Sequence, residues 1–141
     1  MPWKKTLMRI LLDTVTLVWW LRHDKRLGGQ SKLLLVEPRH DCFVSSFSVF
    51  EWRLKARIKK LKHYPDLEEK ITANGFQLLE YDAGDSKYIP EFTGLSWNDP
   101  FDFGLVSQSL ARNFTFMTSD RRILAEFSHR LRLIDAGNDG P

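Results

Sequence analysis

Cysteine occurs once in the 141 residues, as Cys42. An intrachain disulfide is therefore excluded, and no neighbouring cysteine or paired histidine is there to build a zinc site. The residue reads as a small buried hydrophobe in a chain suited to a reducing compartment. No stretch reaches the roughly 18 uninterrupted apolar residues of a membrane span. The basic start, with Lys4, Lys5 and Arg9, runs into an apolar segment as a secretory signal would, but Asp13 interrupts that segment and no small-residue cleavage site follows. The expectation is a cytoplasmic protein without a membrane partner. His23, His40, His63 and His129 are scattered in polar stretches, and no nucleophile is paired with a base. Neither sign of charge dominates: a net charge of +3 is mildly basic, compatible with a polyanionic partner without requiring one. Internal repeats and linkers are also lacking.

What is present is an ordinary globular composition, 43% hydrophobic and 28% charged, long enough for one domain with a core. The expected organisation is one domain over residues 1–134 and a flexible tail over 135–141, because the closing "DAGNDGP" has no apolar anchor. Residues 7–12 predict a short buried strand, and 14–21 a helix with Leu17, Val18 and Leu21 on one face. "SKLLLVEPRH" suits either a strand or a helix, and Pro38 ends both. "CFVSS" predicts a core strand. The clearest helix spans 46–63, capped by Ser46 or Ser48. Its core face is expected at Phe50, Leu54, Ile58 and Leu61, with Arg53, Lys55, Arg57, Lys59, Lys60 and Lys62 opposite. Asp66 caps a further short helix that ends at Asn74-Gly75. "FQLLEY" then predicts a strand, "DAGDSKYIPEF" a short helix, and Pro100 the first turn of a helix reaching Arg112. "FTFMTSD" is strand and turn, "RRILAEF" a helix and "LRLI" a last strand. Strands alternating with helices over short connections predict a three-layer α/β/α domain with a mostly parallel central sheet.

Parallel sheets place ligands beyond the carboxyl ends of their strands. Asp13 ends "RILL" and Asp120 follows "FTFMTS", so both are expected at that edge. Glu51 lies early in the helix after "CFVSS", and Asp99 and Asp102 flank "PF" at the start of the next long helix. Capping explains Asp99, Asp102 or Asp120 singly. Together, converging carboxylates would repel one another unless a cation joined them. Hard divalent ions, Mg²⁺ or Mn²⁺, take such oxygen ligands, and a site of this kind suits phosphodiester hydrolysis.

The segments "LLDTVTLVWWL", "FVSSFSVFEWRLKARIKKLK", "NDPFDFGLVSQSL" and "FMTSD", in this order and spacing, resemble the PIN domain, and more closely the VapC-type toxins of bacterial toxin–antitoxin pairs. The resemblance runs from Leu7 to about Ile134. It implies that Asp13, Glu51, Asp102 and Asp120 form the catalytic metal site. Asp99, Thr14, Thr118 and Ser119 support it, and "SKLLLVEPR" is a helix. It implies a metal-dependent endoribonuclease, a homodimer, and an antitoxin whose C-terminal segment blocks the acidic groove. The chain departs from the family pattern at Phe103, where an arginine often stands, at Val106-Ser107-Gln108-Ser109, and at Thr14-Val15-Thr16. The lost arginine is expected to weaken substrate or antitoxin contacts.

Candidates for holding single-stranded RNA, whether tRNA or mRNA, are Arg53, Arg57, Lys59, Lys60, Lys62, Arg121 and Arg122, with Trp19, Trp20, Trp52 and Trp97 available to stack on bases. A solvated charged face explains the helix cations equally well, and core or interface packing the tryptophans. Three other functions fit parts of the pattern: an RNA-maturation nuclease outside toxin–antitoxin systems, a non-catalytic PIN-like binding module, and a haloacid-dehalogenase-like phosphatase. The last would need a second aspartate where Val15 stands.

Overall fold

The computed structural model describes residues 6–139, so Lys4, Lys5 and the last two residues of the expected tail lie outside it. Strand β1 (Arg9–Leu12) leads into α1 (Thr14–Leu21) and α2 (Gly29–Val36). Strand β2 (Asp41–Ser45) is followed by α3 (Ser46–Arg57), α4 (Leu67–Ala73) and β3 (Gln77–Leu79). Two 3-10 turns, Ala83–Ser86 and Ile89–Glu91, lead to α5 (Pro100–Arg112), β4 (Thr115–Thr118), α6 (Arg121–Glu126) and β5 (Leu133–Asp135). The strand order is β3-β2-β1-β4-β5, and every pairing is parallel.

Alternation along the strands sends side chains to two cores. Ile10, Leu12 and Met117 pack with Leu17, Leu35, Val44, Val49, Trp52 and Ile71, beneath α1 to α4. Leu11 and Phe116 face the other way, onto Leu105 and Val106 of α5 and Ile123 of α6. These are the three layers the sequence predicts. The "SKLLLVEPR" segment is helical, as the resemblance implies. The chain runs from β1 to β2 on one side and returns to β4 on the other. The carboxyl ends of β1 and β4 are therefore the switch point at which such sheets bind ligands.

Five expectations change. The helix expected over 46–63 ends at Arg57, because Lys59 takes a left-handed backbone (φ 62) that breaks the helical ladder. Its cap is Ser45, whose hydroxyl accepts from the Phe47 N–H at 3.1 Å, rather than Ser46 or Ser48. Its buried face is Ser48, Val49, Glu51 and Trp52, while Phe50, Leu54 and Ile58 are exposed. The segment expected as a short helix before α5 forms the two 3-10 turns. At the other end the sheet continues past residue 134. Asp135 closes β5, Ala136 is fully buried, and the Ala136 carbonyl accepts from the Gly28 N–H at 2.9 Å.

Candidate metal centre

Asp13 leaves the sheet at the carboxyl end of β1 and caps α1. Its Oδ1 accepts from the Thr16 N–H at 2.7 Å, and its Oδ2 accepts from the Thr118 hydroxyl at 2.6 Å. Asp120 does the same one strand over. It caps α6, accepting from the N–H groups of Arg122 (2.8 Å) and Ile123 (3.2 Å). Asp99 caps α5 through the N–H groups of Phe101 and Asp102. Capping and site membership are thus not alternatives here. The helix N-termini hold the three carboxylates in place and offset part of their charge.

Asp102 sits in the first turn of α5, where the indole N–H of Trp97 donates to Oδ2 at 3.3 Å. Burial, reinforced by the charges of Asp99, Asp120 and Asp13, pushes its pKa up to about 7. Burial likewise raises the pKa of Asp13, with the Glu51 charge adding to the effect. For Asp120, burial is outweighed by the Arg122 guanidinium and the capping N–H groups, and the carboxyl is held below its usual range. The acids therefore form one electrostatically linked cluster at the switch point of the sheet. Glu51 joins it from α3, buried against the core, with Lys55 donating to Oε2 at 2.5 Å.

The supporting residues separate. Thr118 is fully buried and links two acids, donating to Asp13 and accepting from the Asp120 N–H at 3.1 Å. The Thr14 hydroxyl donates to Ser48 on α3 at 3.0 Å, which ties α1 to the helix bearing Glu51. Ser119 offers its backbone carbonyl to Arg121.

Of the proposed RNA contacts, only Arg122 reaches the acids. It holds Asp120 at 3.0 Å, approaches Asp102 at 3.8 Å, and lies 4.9 Å from the Trp97 ring centre. Arg53 is paired with Glu68 and Arg121 with Asp135. Arg57, Lys59 and Lys60 are exposed on or just beyond the last turn of α3, and Lys62 lies on Tyr64. Trp52 is core, with its indole N–H on the Lys62 carbonyl, and Trp20 bonds Asn74. Among the described tryptophans, only Trp97 stands at the acids. Phe103, in place of the family arginine, is buried against Phe92 and Trp97. Lys55 was not among the sequence candidates for the site, although its spacing of four from Glu51 was the available signal.

The all-oxygen donor set and its unbalanced charge fit a hard divalent ion. Among the described residues, however, no three acidic, histidine or cysteine side chains are grouped as a metal cage. Thr118, Lys55 and Arg122 partner oxygens of Asp13, Glu51 and Asp120 instead, so an ion shared by Glu51 and Asp120 would have to replace those two cations.

The same architecture occurs in solved structures of low sequence identity. A chain of VapBC2 from Rickettsia felis, bound to a DNA fragment from its promoter, superposes with a TM-score of 0.68 at 20% identity, covering 91% of this chain and 98% of that one. A chain of FitAcB from Neisseria gonorrhoeae gives 0.64 at 19% identity, with 90% and 97% covered. A chain of a toxin-antitoxin complex from Klebsiella pneumoniae gives 0.59 at 11%, with 90% and 97% covered. No curated protein matches in sequence. The PIN domain pattern matches residues 10–129, which takes in β1 from Ile10, β2 to β4 and the clustered acids Asp13, Glu51, Asp99, Asp102 and Asp120, and by that match the chain belongs to the PIN domain family.

Proposed function

We propose that this protein is a Mg²⁺- or Mn²⁺-dependent endoribonuclease that hydrolyses phosphodiester bonds in single-stranded or structured RNA, and that it is the toxin of a type II toxin–antitoxin pair. The observation that carries the reading is the cluster at the carboxyl edge of the sheet, where burial and three neighbouring carboxylates push Asp102 up to about 7. Burial is the larger cause, and the repulsion among the carboxylates that adds to it is what a divalent ion would relieve. Asp13, Glu51, Asp102 and Asp120 would hold the ion. When bound, it supplies Lewis-acid stabilisation to a phosphate oxygen and makes an attacking water more acidic. Thr118 fixes the Asp13 carboxylate, and Thr14 fixes α1 against α3. Asp99 sets the first turn of α5 and with it the direction of Asp102.

Beside the acids lies a cleft of about 450 Å³ lined by Lys55, Trp97, Asn98, Asp99, Pro100, Phe101 and Arg122. An indole face and two cations next to carboxylates suit an RNA strand, with a base on Trp97 and its phosphates on the cations. The solved relatives named as toxin–antitoxin or VapBC complexes support an antitoxin partner, whose C-terminal segment would block the same cleft. The exposed stripe of Phe50 and Leu54 on α3 and Ile58 just past its end supports a homodimer, because one apolar face can meet its own copy across a two-fold axis. A cytoplasmic setting agrees with a lone thiol and an RNA substrate.

The test is cleavage of a mixed RNA pool by the purified protein and by Asp13→Asn, each in Mg²⁺ or Mn²⁺ and each with EDTA. Cleavage by the parent alone, abolished by EDTA, is the expected result. An Asp13→Asn variant that cuts as well as the parent would remove the acids from the mechanism.

A further inference from the structure

Lys55 and Arg122 flank one cleft, and each is engaged by a carboxylate of the cluster. The pairs are lopsided in burial. The Glu51 side chain is 8% exposed and its Lys55 partner 38%; the Asp120 side chain is 21% exposed and its Arg122 partner 50%. A buried carboxylate needs a positive neighbour. A long cation with its head at the surface does not need the carboxylate, because its stem can stay packed while its charge turns to water or to another anion. The acid is thus fixed and the cation is free to leave. Trp97 gives Arg122 a place to rest when it does, since the guanidinium already lies over the indole.

The charge count is also balanced. Two unit cations satisfy Glu51 and Asp120 here, and one divalent ion carries the same charge. Resting on the metal-centre reading above, we propose that Lys55 and Arg122 are displaceable counter-cations. They neutralise Glu51 and Asp120 in the metal-free protein. Once a divalent ion is held by those carboxylates, they turn into the cleft to receive the phosphates of the RNA backbone. Metal binding and substrate binding are then coupled through two side chains, and the metal-free cleft is a weak RNA site because its cations are already engaged.

Two measurements test this on the full chain. In the first, Mn²⁺ is titrated calorimetrically into the parent, Lys55→Met, Arg122→Met and Arg121→Met. The last loses the same charge beside Arg122 but from a residue paired with Asp135. Lys55→Met and Arg122→Met should bind Mn²⁺ roughly three- to tenfold more tightly, as expected when a competing cation with its head at the surface is removed, and Arg121→Met should change it by less than about twofold. In the second, a fluorescent 2′-O-methyl oligouridine, which resists hydrolysis, is bound with EDTA and again with Mn²⁺. Lys55→Met should match the parent in EDTA and bind several-fold more weakly in Mn²⁺, with Lys55→Arg restoring the affinity. Unchanged Mn²⁺ affinity in both variants, or an RNA defect equal in EDTA and Mn²⁺, overturns the exchange while leaving the metal centre standing. Absence of Mn²⁺ binding in the parent and in every variant overturns both.

Discussion

The Thr118 hydroxyl donates to Asp13 at 2.6 Å, and its oxygen accepts from the Asp120 N–H at 3.1 Å, so one buried side chain locks together the acids of two adjacent strands. Thr118→Val keeps the shape and deletes both contacts, leaving Asp13 buried with one fewer partner. We expect a loss of about 1–3 kcal/mol in stability, read by urea unfolding. Mn²⁺ affinity should fall as well, because Asp13 loses its fixed direction. Thr118→Ser should recover most of both, and a valine variant as stable as the parent would show that the bond carries little.

Asp102 gives a pH dependence with a definite sign. Its folded pKa, about 7, lies above the ordinary carboxyl value of 3.8. The folded protein therefore binds the proton more tightly than the unfolded chain. The associated stability is fully present below the unfolded value and is lost as pH rises through about 7. In metal-free protein, the difference in thermal stability between the parent and Asp102→Asn should change by an amount on the order of 2 kcal/mol between pH 4 and pH 8, with the parent losing ground as pH rises. Mn²⁺ affinity of the parent should increase over the upper part of this range, since the ion competes with that proton. A flat difference curve would mean that Asp102 carries no such shift.

Much of this was legible in the sequence for a physical reason. Asp13 and Asp120 each end a short apolar strand, and in a parallel sheet strand ends converge at one edge whatever the intervening helices do. Glu51 and Asp102 were legible because they sit early in helices that start from that edge. The α3 surface was misread because Phe50, Leu54 and Ile58 repeat at the helical period, and periodicity reports that a face is apolar without reporting what covers it. The buried face of α3 is instead built from small and polar residues, Ser48 and Glu51, beside Val49 and Trp52, and such a mixture carries no hydrophobic signal. Lys55 is one cation in a run of them, so composition does not single it out. Its role depends on which of those cations stands one turn beyond Glu51 on the cleft side.

That exposed stripe makes a prediction of its own. If a second copy covers it, Leu54→Asp or Ile58→Asp should convert a dimer to a monomer in light scattering, with little change in monomer unfolding because neither residue is buried in the chain. A protein that is monomeric before substitution would remove the homodimer from the proposed function.

The spacing between the helices bearing Glu51 and Asp102 is set by a glycine. Gly104 on α5 faces Phe47 on α3, and a Cβ at Gly104 would come within 2.3 Å of the Phe47 ring. That ring is stacked on Tyr81 at 4.8 Å and packs on Phe101 at 5.2 Å, while the Tyr81 hydroxyl donates to the Gly104 carbonyl at 3.0 Å. Phe47 thus has little room to move without disturbing Phe101, whose N–H is held by the Asp99 cap. Gly104→Ala should push α5 from α3, cost about 1–3 kcal/mol in urea unfolding, and weaken Mn²⁺ binding by separating Glu51 from Asp102. The double variant Gly104→Ala with Phe47→Leu, which removes the ring edge, should regain part of both losses. If the double variant regains stability but not Mn²⁺ affinity, the helix spacing is not what brings these two acids to one ion.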